Sequence, residues 1–278
     1  MLLTPRYDGP VVASIDGAPG DQLVPVVRQR RRMESMLAGL ADEHWRAPSR
    51  CTDWTVQDVV AHLVDVNGFW HFSIISGLAG TPTRMLSGFD PVTSPPALVG
   101  MQGDMSPADA LAKFVDSNDR FLGVLVELDD DGWSTLAETP AGHLPIRVLA
   151  HHALWDAWVH ERDIVLPLGI PPTLEDDELR SCLRFAAVIS PALGLGLGAA
   201  APGSYVVDAV RPDERFALDV DTSVSVRAAD DVTDRACLAG DTVELIEALS
   251  LRGPFPPGTP PEWLQLLGGL ATAFDALP

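Results

Sequence analysis

The sequence is poor in basic residues and contains almost no lysine. Among 278 residues it has 19 lysines and arginines against 39 acidic residues, which gives a formal net charge of −20. Lys113 is the only lysine, so most lysine-based covalent chemistry is excluded. Nucleic acids and anionic membranes both attract clustered basic side chains, and neither is an expected partner of this chain.

Cysteine is also scarce. Cys51, Cys182 and Cys237 are far apart and odd in number, which fits neither a disulfide framework nor a paired-cysteine metal motif. The N-terminus lacks the basic start and apolar stretch of a signal peptide, and the most apolar run, residues 186–201, is too short to span a membrane. These absences predict a reduced, cytoplasmic protein, in which histidine, aspartate or glutamate would hold any metal.

Amphipathic helical periodicity dominates the first part of the chain. Apolar residues recur at spacings of three, four and seven, which predicts four long helices and therefore a helical bundle. The predicted ranges are 21–40, 55–76, 106–128 and 145–165. Thr55 and Asp58 form a capping box at the start of the second helix, and Ser106 precedes a proline and an acid at the start of the third.

The last third has a different pattern. A fifth helix is expected from about residue 174 to 190, where Pro191 and a glycine-rich stretch end it. Short β-branched or alternating runs then predict strands, followed by a helix that starts at Asp241 and ends at Gly253. The strand ranges are 205–210, 216–220, 224–228 and 236–239.

The predicted fold class is α+β, an N-terminal four-helix bundle followed by a small α/β C-terminal domain. We predict a flexible arm (1–20), the bundle (21–170), a linker helix (171–200), a small α+β domain (201–255) and an extended tail with room for a short helix (256–278). The RQRRR run at 28–32 is expected to be a solvated outer face. Residues 80–105, rich in proline, glycine and serine, are expected to form a long loop of the kind that often serves as a lid.

Three side chains on the predicted helices could hold a metal. His62 lies on the apolar stripe of the second helix, and Asp156 and His160 project from one face of the fourth, four residues apart. Buried imidazoles and carboxylates are costly unless they are paired or bind a metal. One histidine with an Asp-x-x-x-His pair makes a three-ligand set that leaves positions open on a Zn²⁺-like ion.

Spacing by itself leaves alternatives open. A lone interior histidine is often a hydrogen-bonded core residue, and an aspartate–histidine pair is often a surface pair. His151 and His152 adjoin the pair, and spacing does not decide which imidazoles coordinate. Three aspartates lie near a candidate ligand and could either orient an imidazole or face water, namely Asp58, Asp65 and Asp163.

Three motifs carry a family resemblance. Residues 51–63, CTDWTVQDVVAHL, follow the pattern Cys-x-x-Trp-Thr-x-x-Asp-Leu-x-x-His-Leu at nearly every position. Residues 142–163 carry Asp-x-x-x-His followed closely by an aspartate, and residues 238–253 run from Leu-Ala-Gly-Asp to Leu-Arg-Gly. Together they resemble mycothiol-dependent maleylpyruvate isomerase-like proteins, which have a DinB-like metal-binding four-helix bundle and a sterol-carrier-like C-terminal domain.

The resemblance implies that His62, Asp156 and His160 are the metal ligands, with zinc the first choice for a mixed imidazole and carboxylate set. Asp156 stands where the family usually has glutamate, one methylene longer, so either the metal lies closer to this helix or the site is weaker, and His152 could compensate. Arg252 stands where the family has an arginine near the end of the C-terminal domain. It is the predicted catalytic residue, binding a carboxylate, or else a cation that stabilises a helix C-terminus.

The resemblance further implies that the nucleophile is an external thiol, mycothiol, because the chain's own Cys51 is expected to be a packing residue. The first functional hypothesis is a metal- and mycothiol-dependent isomerase or S-transferase, in which the thiolate adds to a small electrophilic substrate. A metal-dependent hydrolase is an alternative. A second alternative is a non-catalytic protein that has the same bundle and binds small molecules or regulates another process.

Overall fold

The computed structural model describes residues 1–103, 105–198, 202–229 and 236–274. The helices within these ranges are α1 (Leu23–Ala38), α2 (Asp42–Trp45), α3 (Val56–Leu78), α4 (Ser94–Met101), α5 (Pro107–Val126), α6 (Asp130–Ser134), α7 (Ile146–Val165), α8 (Asp176–Gly196), α9 (Thr242–Leu249), α10 (Pro261–Leu266) and α11 (Gly268–Ala273). The strands are β1 (Ala13–Ile15), β2 (Leu136–Thr139), β3 (Gly142–Pro145), β4 (Gly203–Val210), β5 (Glu214–Val220), β6 (Val224–Ala228) and β7 (Ala236–Asp241).

The four helices that periodicity predicts form a bundle. α1 packs against α5 and α7, and α3 packs against the same two helices, which closes a ring around a common core. Thr55 and Asp58 exchange both hydrogen bonds of the capping box at the start of α3, and the Ser106 hydroxyl accepts from a backbone N–H at the start of α5. These caps satisfy backbone N–H groups that have no partner within the helix, which is why the helices begin close to their predicted positions.

α8 lies between the bundle and the C-terminal sheet. It packs against α1 and α7 on one side and against β1, β5 and β6 on the other. The predicted end at Pro191 is wrong, because the proline lies inside the helix, which continues to Gly196. A Cβ on Gly269 of α11 would lie 2.0 Å from the carbonyl oxygen of Ser190. This close packing offsets the helix-breaking tendency of the proline.

By length and composition α8 is the one helix in the described part of the chain that could cross a membrane. However, 78% of its apolar window is buried inside the protein. A helix that is apolar because it packs on a bundle and a sheet at once is typical of a protein core.

A five-stranded sheet, in the order β1-β6-β5-β4-β7, forms the C-terminal domain. Its edge strand β1 pairs in parallel with β6, Ala13 opposite Val224. The flexible arm predicted for residues 1–20 therefore contains a strand of the sheet. The hairpin of β2 and β3 is also absent from the prediction. Strands of three or four residues are too short to produce a readable alternation, so composition alone does not reveal them.

The basic run at 28–32 is not the solvated face that its composition predicts. Gln29 and Arg30 are 0% and 1% exposed. The Arg30 guanidinium donates hydrogen bonds to an asparagine of α3 and a backbone carbonyl of α7, and Arg32 forms an ion pair of 2.7 Å with Glu178 of α8. Buried guanidinium groups are tolerated where they find acceptors, and here three other helices provide them.

The segment 80–105 contains α4, a helix that its composition does not predict, and none of the α4 residues is buried. The segment is held from two sides. The Gln102 side-chain amide donates to the Ala61 carbonyl at 3.0 Å, and the buried carboxylate of Glu138 accepts from two of its backbone N–H groups. Because Ala61 directly precedes His62, the segment lies along α3 next to that histidine.

Candidate metal centre

His62 is positioned by α3. Its ring centroid lies 5.3 Å from that of Trp54 and 5.0 Å from that of His160, whose ring is edge-on to it. Burial, and after it the neighbouring His160, lowers the pKa of His62 to about 4. The imidazole is therefore neutral near pH 7 and has a nitrogen lone pair, which is the form in which histidine binds metals.

Asp156 and His160 approach His62 from α7. They are one helical turn apart, and His160 Nε2 lies 3.8 Å from Asp156 Oδ1. One ligand atom from each of the three residues lies within 4.8 Å of the other two. The structure thus brings together the three side chains that the sequence singles out.

The three residues fit a divalent cation. Zinc ligands lie at about 2.0–2.2 Å from the ion, so tetrahedral ligand atoms are about 3.4 Å apart; the 4.8 Å bound on this group requires only small side-chain adjustments. Asp156 Oδ2 is buried without a hydrogen-bond partner among the described residues. An unpaired buried carboxylate oxygen is costly, and a cation bound there would remove that cost.

The two other histidines of α7 lie outside this group. The His152 ring stacks on Phe185 with centroids 4.5 Å apart, and burial lowers the pKa of His152 to about 4. His151 Nδ1 lies 2.8 Å from the Ser181 hydroxyl, in the contact between α7 and α8. Among the described residues, neither joins His62 in a potential ligand group.

His160 is also contacted at its second ring nitrogen. Nδ1 lies 3.1 Å from Asp163 Oδ2, and the Arg252 guanidinium donates to the same oxygen at 3.0 Å. Burial raises the pKa of Asp163, but His160 and Arg252 outweigh it and hold this pKa well below its usual range. For His160 the directions are reversed: burial lowers its pKa, but Asp163 and Cys51 outweigh this effect and raise the pKa to about 10. Without a metal these groups favour the protonated imidazole. A cation bound at Nε2 would displace the proton from that nitrogen and leave the hydrogen bond from Nδ1 to Asp163 in place.

The sequence places three aspartates near a candidate ligand. Within the described chain, Asp163 is the one that contacts such a ligand, His160. Asp58 accepts hydrogen bonds from Thr55 in the capping box. Asp65 is half-buried, burial raises its pKa, and its Oδ2 has no hydrogen-bond partner among the described residues.

Arg252 lies beside this site, in the turn that follows α9. Its Nη2 is 3.8 Å from Cys51 Sγ, and Cys51 Sγ is itself 3.2 Å from Asp163 Oδ2. Cys51 also packs at the edge of the bundle core, as the sequence predicts. The catalytic role of Arg252 stays a prediction.

Sequence reasoning missed three charged residues that link the bundle to the C-terminal domain. The guanidinium groups of Arg50 and Arg162 both donate to Glu247 Oε1 of α9, at 3.1 and 2.6 Å, and Arg50 Nη2 donates to the Arg252 carbonyl at 3.1 Å. Arg50 directly precedes the first motif and Arg162 lies within the second. That proximity to the motifs is the only sequence signal that could have indicated them.

Comparison with known proteins identifies the family. The family model of the mycothiol maleylpyruvate isomerase N-terminal domain matches residues 26–165, just over half of the chain. The chain belongs to this family. The predicted family is thereby confirmed, and the matched range contains all three candidate metal ligands.

Two solved structures are similar over most of the chain. They are crystal structures of the mycothiol-dependent maleylpyruvate isomerase and of its histidine-to-alanine mutant, with TM-scores of 0.61 and 0.62. Each is 16% identical, and the alignment covers 86% of this chain and 91% of theirs. At this identity the likeness shows the fold, and it confirms the predicted α+β class. No curated protein sequence matches the chain.

Proposed function

We propose that this protein is a metal- and mycothiol-dependent isomerase of the maleylpyruvate type. The observation that carries the proposal is the group of His62, Asp156 and His160, whose ligand atoms lie within 4.8 Å of one another and include a buried, unpaired carboxylate. The proposed partner is a small molecule with an electrophilic carbon–carbon double bond. The net charge of −20 makes nucleic acid an unsuitable partner.

A divalent ion, most simply Zn²⁺, held by these three residues would lower the pKa of a coordinating thiol, so that the thiol reacts as a thiolate near neutral pH. Isomerisation then requires the thiolate to add to one carbon of the double bond. Rotation about the resulting single bond and departure of the thiolate restore the double bond with the other geometry. The thiol is regenerated, which is why a thiol can act here as a cofactor.

The protein's own residues bind and orient the reactants. His62 and His160 are held by α3 and α7 on facing sides of the site, and Trp54 packs beside the His62 ring. The Arg252 side chain is 30% exposed, and we propose that its guanidinium binds a substrate carboxylate in addition to Asp163. This is the catalytic role that we propose for Arg252.

Two finer points belong to the proposal. If the thiol adduct leaves before elimination, the same site acts as an S-transferase, with the thiol consumed in the product. All three cysteines are free thiols, so we infer that the protein works in a reducing compartment, the cytoplasm.

The test measures isomerisation of maleylpyruvate by ultraviolet absorbance, with and without mycothiol, before and after removal of metal by a chelator. We expect turnover to require both the thiol and a divalent metal. His62→Ala should abolish metal binding and turnover. His71→Ala, on the same helix but with its Nδ1 3.0 Å from the Arg120 carbonyl, should retain both.

The other outcomes separate the alternatives. Accumulation of a thiol adduct would indicate an S-transferase. Turnover with metal and without thiol would indicate a hydrolase or another metal enzyme. A purified protein that contains no metal and takes up none would contradict the proposal and favour a non-catalytic binding or regulatory protein.

A further inference from the structure

His160 has a neighbour at each ring nitrogen. Nε2 lies 3.8 Å from Asp156 Oδ1, on the side of the proposed metal, and Nδ1 lies 3.1 Å from Asp163 Oδ2. A hydrogen bond from Nδ1–H to a carboxylate leaves the lone pair of a neutral imidazole on Nε2. The contact with Asp163 therefore selects both the tautomer and the ring orientation that a metal ligand needs.

Asp163 is in turn held by the C-terminal domain. Its side chain is 0% exposed, so its charge needs compensation within the protein. Arg50 Nε lies 3.6 Å from Asp163 Oδ1, and Arg252 provides the closer compensation with a fork of hydrogen bonds: Nε lies 3.2 Å from Oδ1, and Nη2 lies 3.0 Å from Oδ2. A planar guanidinium that binds both carboxylate oxygens fixes the orientation of the carboxylate as well as its charge.

The position of Arg252 is itself fixed by the bundle. Arg50 donates to the Arg252 carbonyl at 3.1 Å, and Arg50 and Arg162 both donate to Glu247, five residues before Arg252 on α9. Leu251 adopts a φ of +57°, which turns the chain sharply after the helix and directs Arg252 towards the bundle.

A second group of potential metal ligands consists of Cys51, His160 and Asp163. The Arg252 guanidinium lies 3.0 Å from Asp163 and 3.8 Å from Cys51 Sγ, so a fixed positive charge already neutralises this group. A second cation there would be repelled at close range. The arrangement fits a support for His160 better than a second metal site.

We propose that Asp163 and Arg252 are positioning residues for the metal centre: Asp163 orients His160, and Arg252 orients Asp163. The C-terminal domain, which supplies none of the three ligands, thereby sets the metal affinity of the bundle. This inference rests on the proposed metal site. It assigns Arg252 a role that does not require contact with the substrate.

The experiment measures the Zn²⁺ dissociation constant of the full chain by competition with a chromophoric chelator. The visible spectrum of the Co²⁺-loaded protein reports the ligand geometry. We expect Asp163→Asn to raise the dissociation constant about 10- to 100-fold and to shift the Co²⁺ bands. Arg252→Gln should raise the constant about tenfold, and Arg252→Lys should recover part of the loss because it keeps the charge but not the fork.

Asp208→Asn and Arg215→Gln are the matched controls, because these residues form a half-exposed ion pair between β4 and β5. Both should leave the dissociation constant unchanged. Since Arg252 is inferred to act through Asp163, the double variant Asp163→Asn/Arg252→Gln should bind Zn²⁺ little more weakly than Asp163→Asn alone.

The outcomes separate this inference from the proposed function. If the unmodified protein binds Zn²⁺ and both single variants bind it equally well, the inference is wrong and the metal site stands. It is also wrong if Arg252→Gln raises only the KM for substrate, or if the two single losses multiply in the double variant. A protein that binds no Zn²⁺ refutes both proposals. Circular dichroism checks folding, and the Arg252 variants decide the matter if Asp163→Asn does not fold.

Discussion

The buried carboxylate of Glu138 connects β2 to two other segments of the chain, and its replacement by glutamine tests how much that connection contributes. Glu138 is 0% exposed. Its Oε1 accepts from the Tyr7 hydroxyl at 2.6 Å and from the Leu86 N–H at 2.7 Å. Its Oε2 accepts from the Thr83 hydroxyl at 2.6 Å and from the Met85 N–H at 2.9 Å.

The expected cost follows from this geometry. Each oxygen serves one hydroxyl and one backbone N–H. Glutamine replaces one oxygen by an NH₂ group, which can only donate. The neighbouring hydroxyl can rotate and accept a hydrogen bond from this group, but the neighbouring backbone N–H is itself a donor and cannot. One buried N–H therefore loses its partner, which costs about 1–3 kcal/mol. The remaining bonds lose their charge assistance, at about 1 kcal/mol, so Glu138→Gln should destabilise the protein by about 2–4 kcal/mol.

The measurement is urea-induced unfolding followed by tryptophan fluorescence and circular dichroism. Glu127→Gln, at the exposed C-terminal end of α5, is the matched control and should change the free energy of unfolding by less than about 0.5 kcal/mol. Limited proteolysis should also cut the 80–105 segment faster in Glu138→Gln, because the Glu138 carboxylate accepts hydrogen bonds from three groups of that segment. A Glu138→Gln protein as stable as the control would refute the reasoning.

Two further predictions concern backbone packing and acid stability. Gly142→Ala should destabilise the protein by about 3 kcal/mol or more, because φ is +132° and the new Cβ would lie 2.1 Å from a backbone oxygen. Gly123→Ala is the control, because a Cβ there would meet open space. Thermal unfolding should show that the protein tolerates this second substitution. Burial raises the pKa of Glu247, but Arg50 and Arg162 outweigh it, so the folded pKa lies below its ordinary value. The ion pairs of Glu247 therefore stabilise the folded protein at pH values above the pKa that Glu247 has in the unfolded chain. This stabilisation is lost as the pH falls through the pKa that Glu247 has in the folded protein. Glu247→Gln should lower the free energy of unfolding by about 1–2 kcal/mol at pH 7. Urea titrations should show that the difference in stability between the unmodified protein and this variant narrows below about pH 4. A difference that stays constant with pH would contradict the prediction.

Much of the bundle is predictable because its signals are local. The capping box of Thr55 and Asp58 involves residues three apart, and a helix starts wherever such a cap precedes an apolar periodicity. The shared face of Asp156 and His160 follows in the same way from helical geometry. The family motifs add His62 as their partner, which periodicity alone leaves open among several histidines.

Other features depend on partners that are distant in the sequence. The burial of Arg30 needs acceptors from α3 and α7, and the continuation of α8 past Pro191 involves close packing against Gly269. The strand β1 exists only because β6 offers it an open edge. No spacing within the sequence contains this information, since a basic run, a proline and a short apolar stretch each have a more common local meaning.

By itself the sequence determined the four helices of the bundle, the inward direction of the three candidate ligands and the family. The tertiary structure alone decided that Asp163 faces His160 Nδ1 and that Arg252 reaches Asp163 across the boundary between the two domains. The physical reason is the range of the forces involved. Caps and helical faces depend on neighbours within one or two turns, whereas a buried ion pair forms only where packing of the whole chain excludes water from both charges.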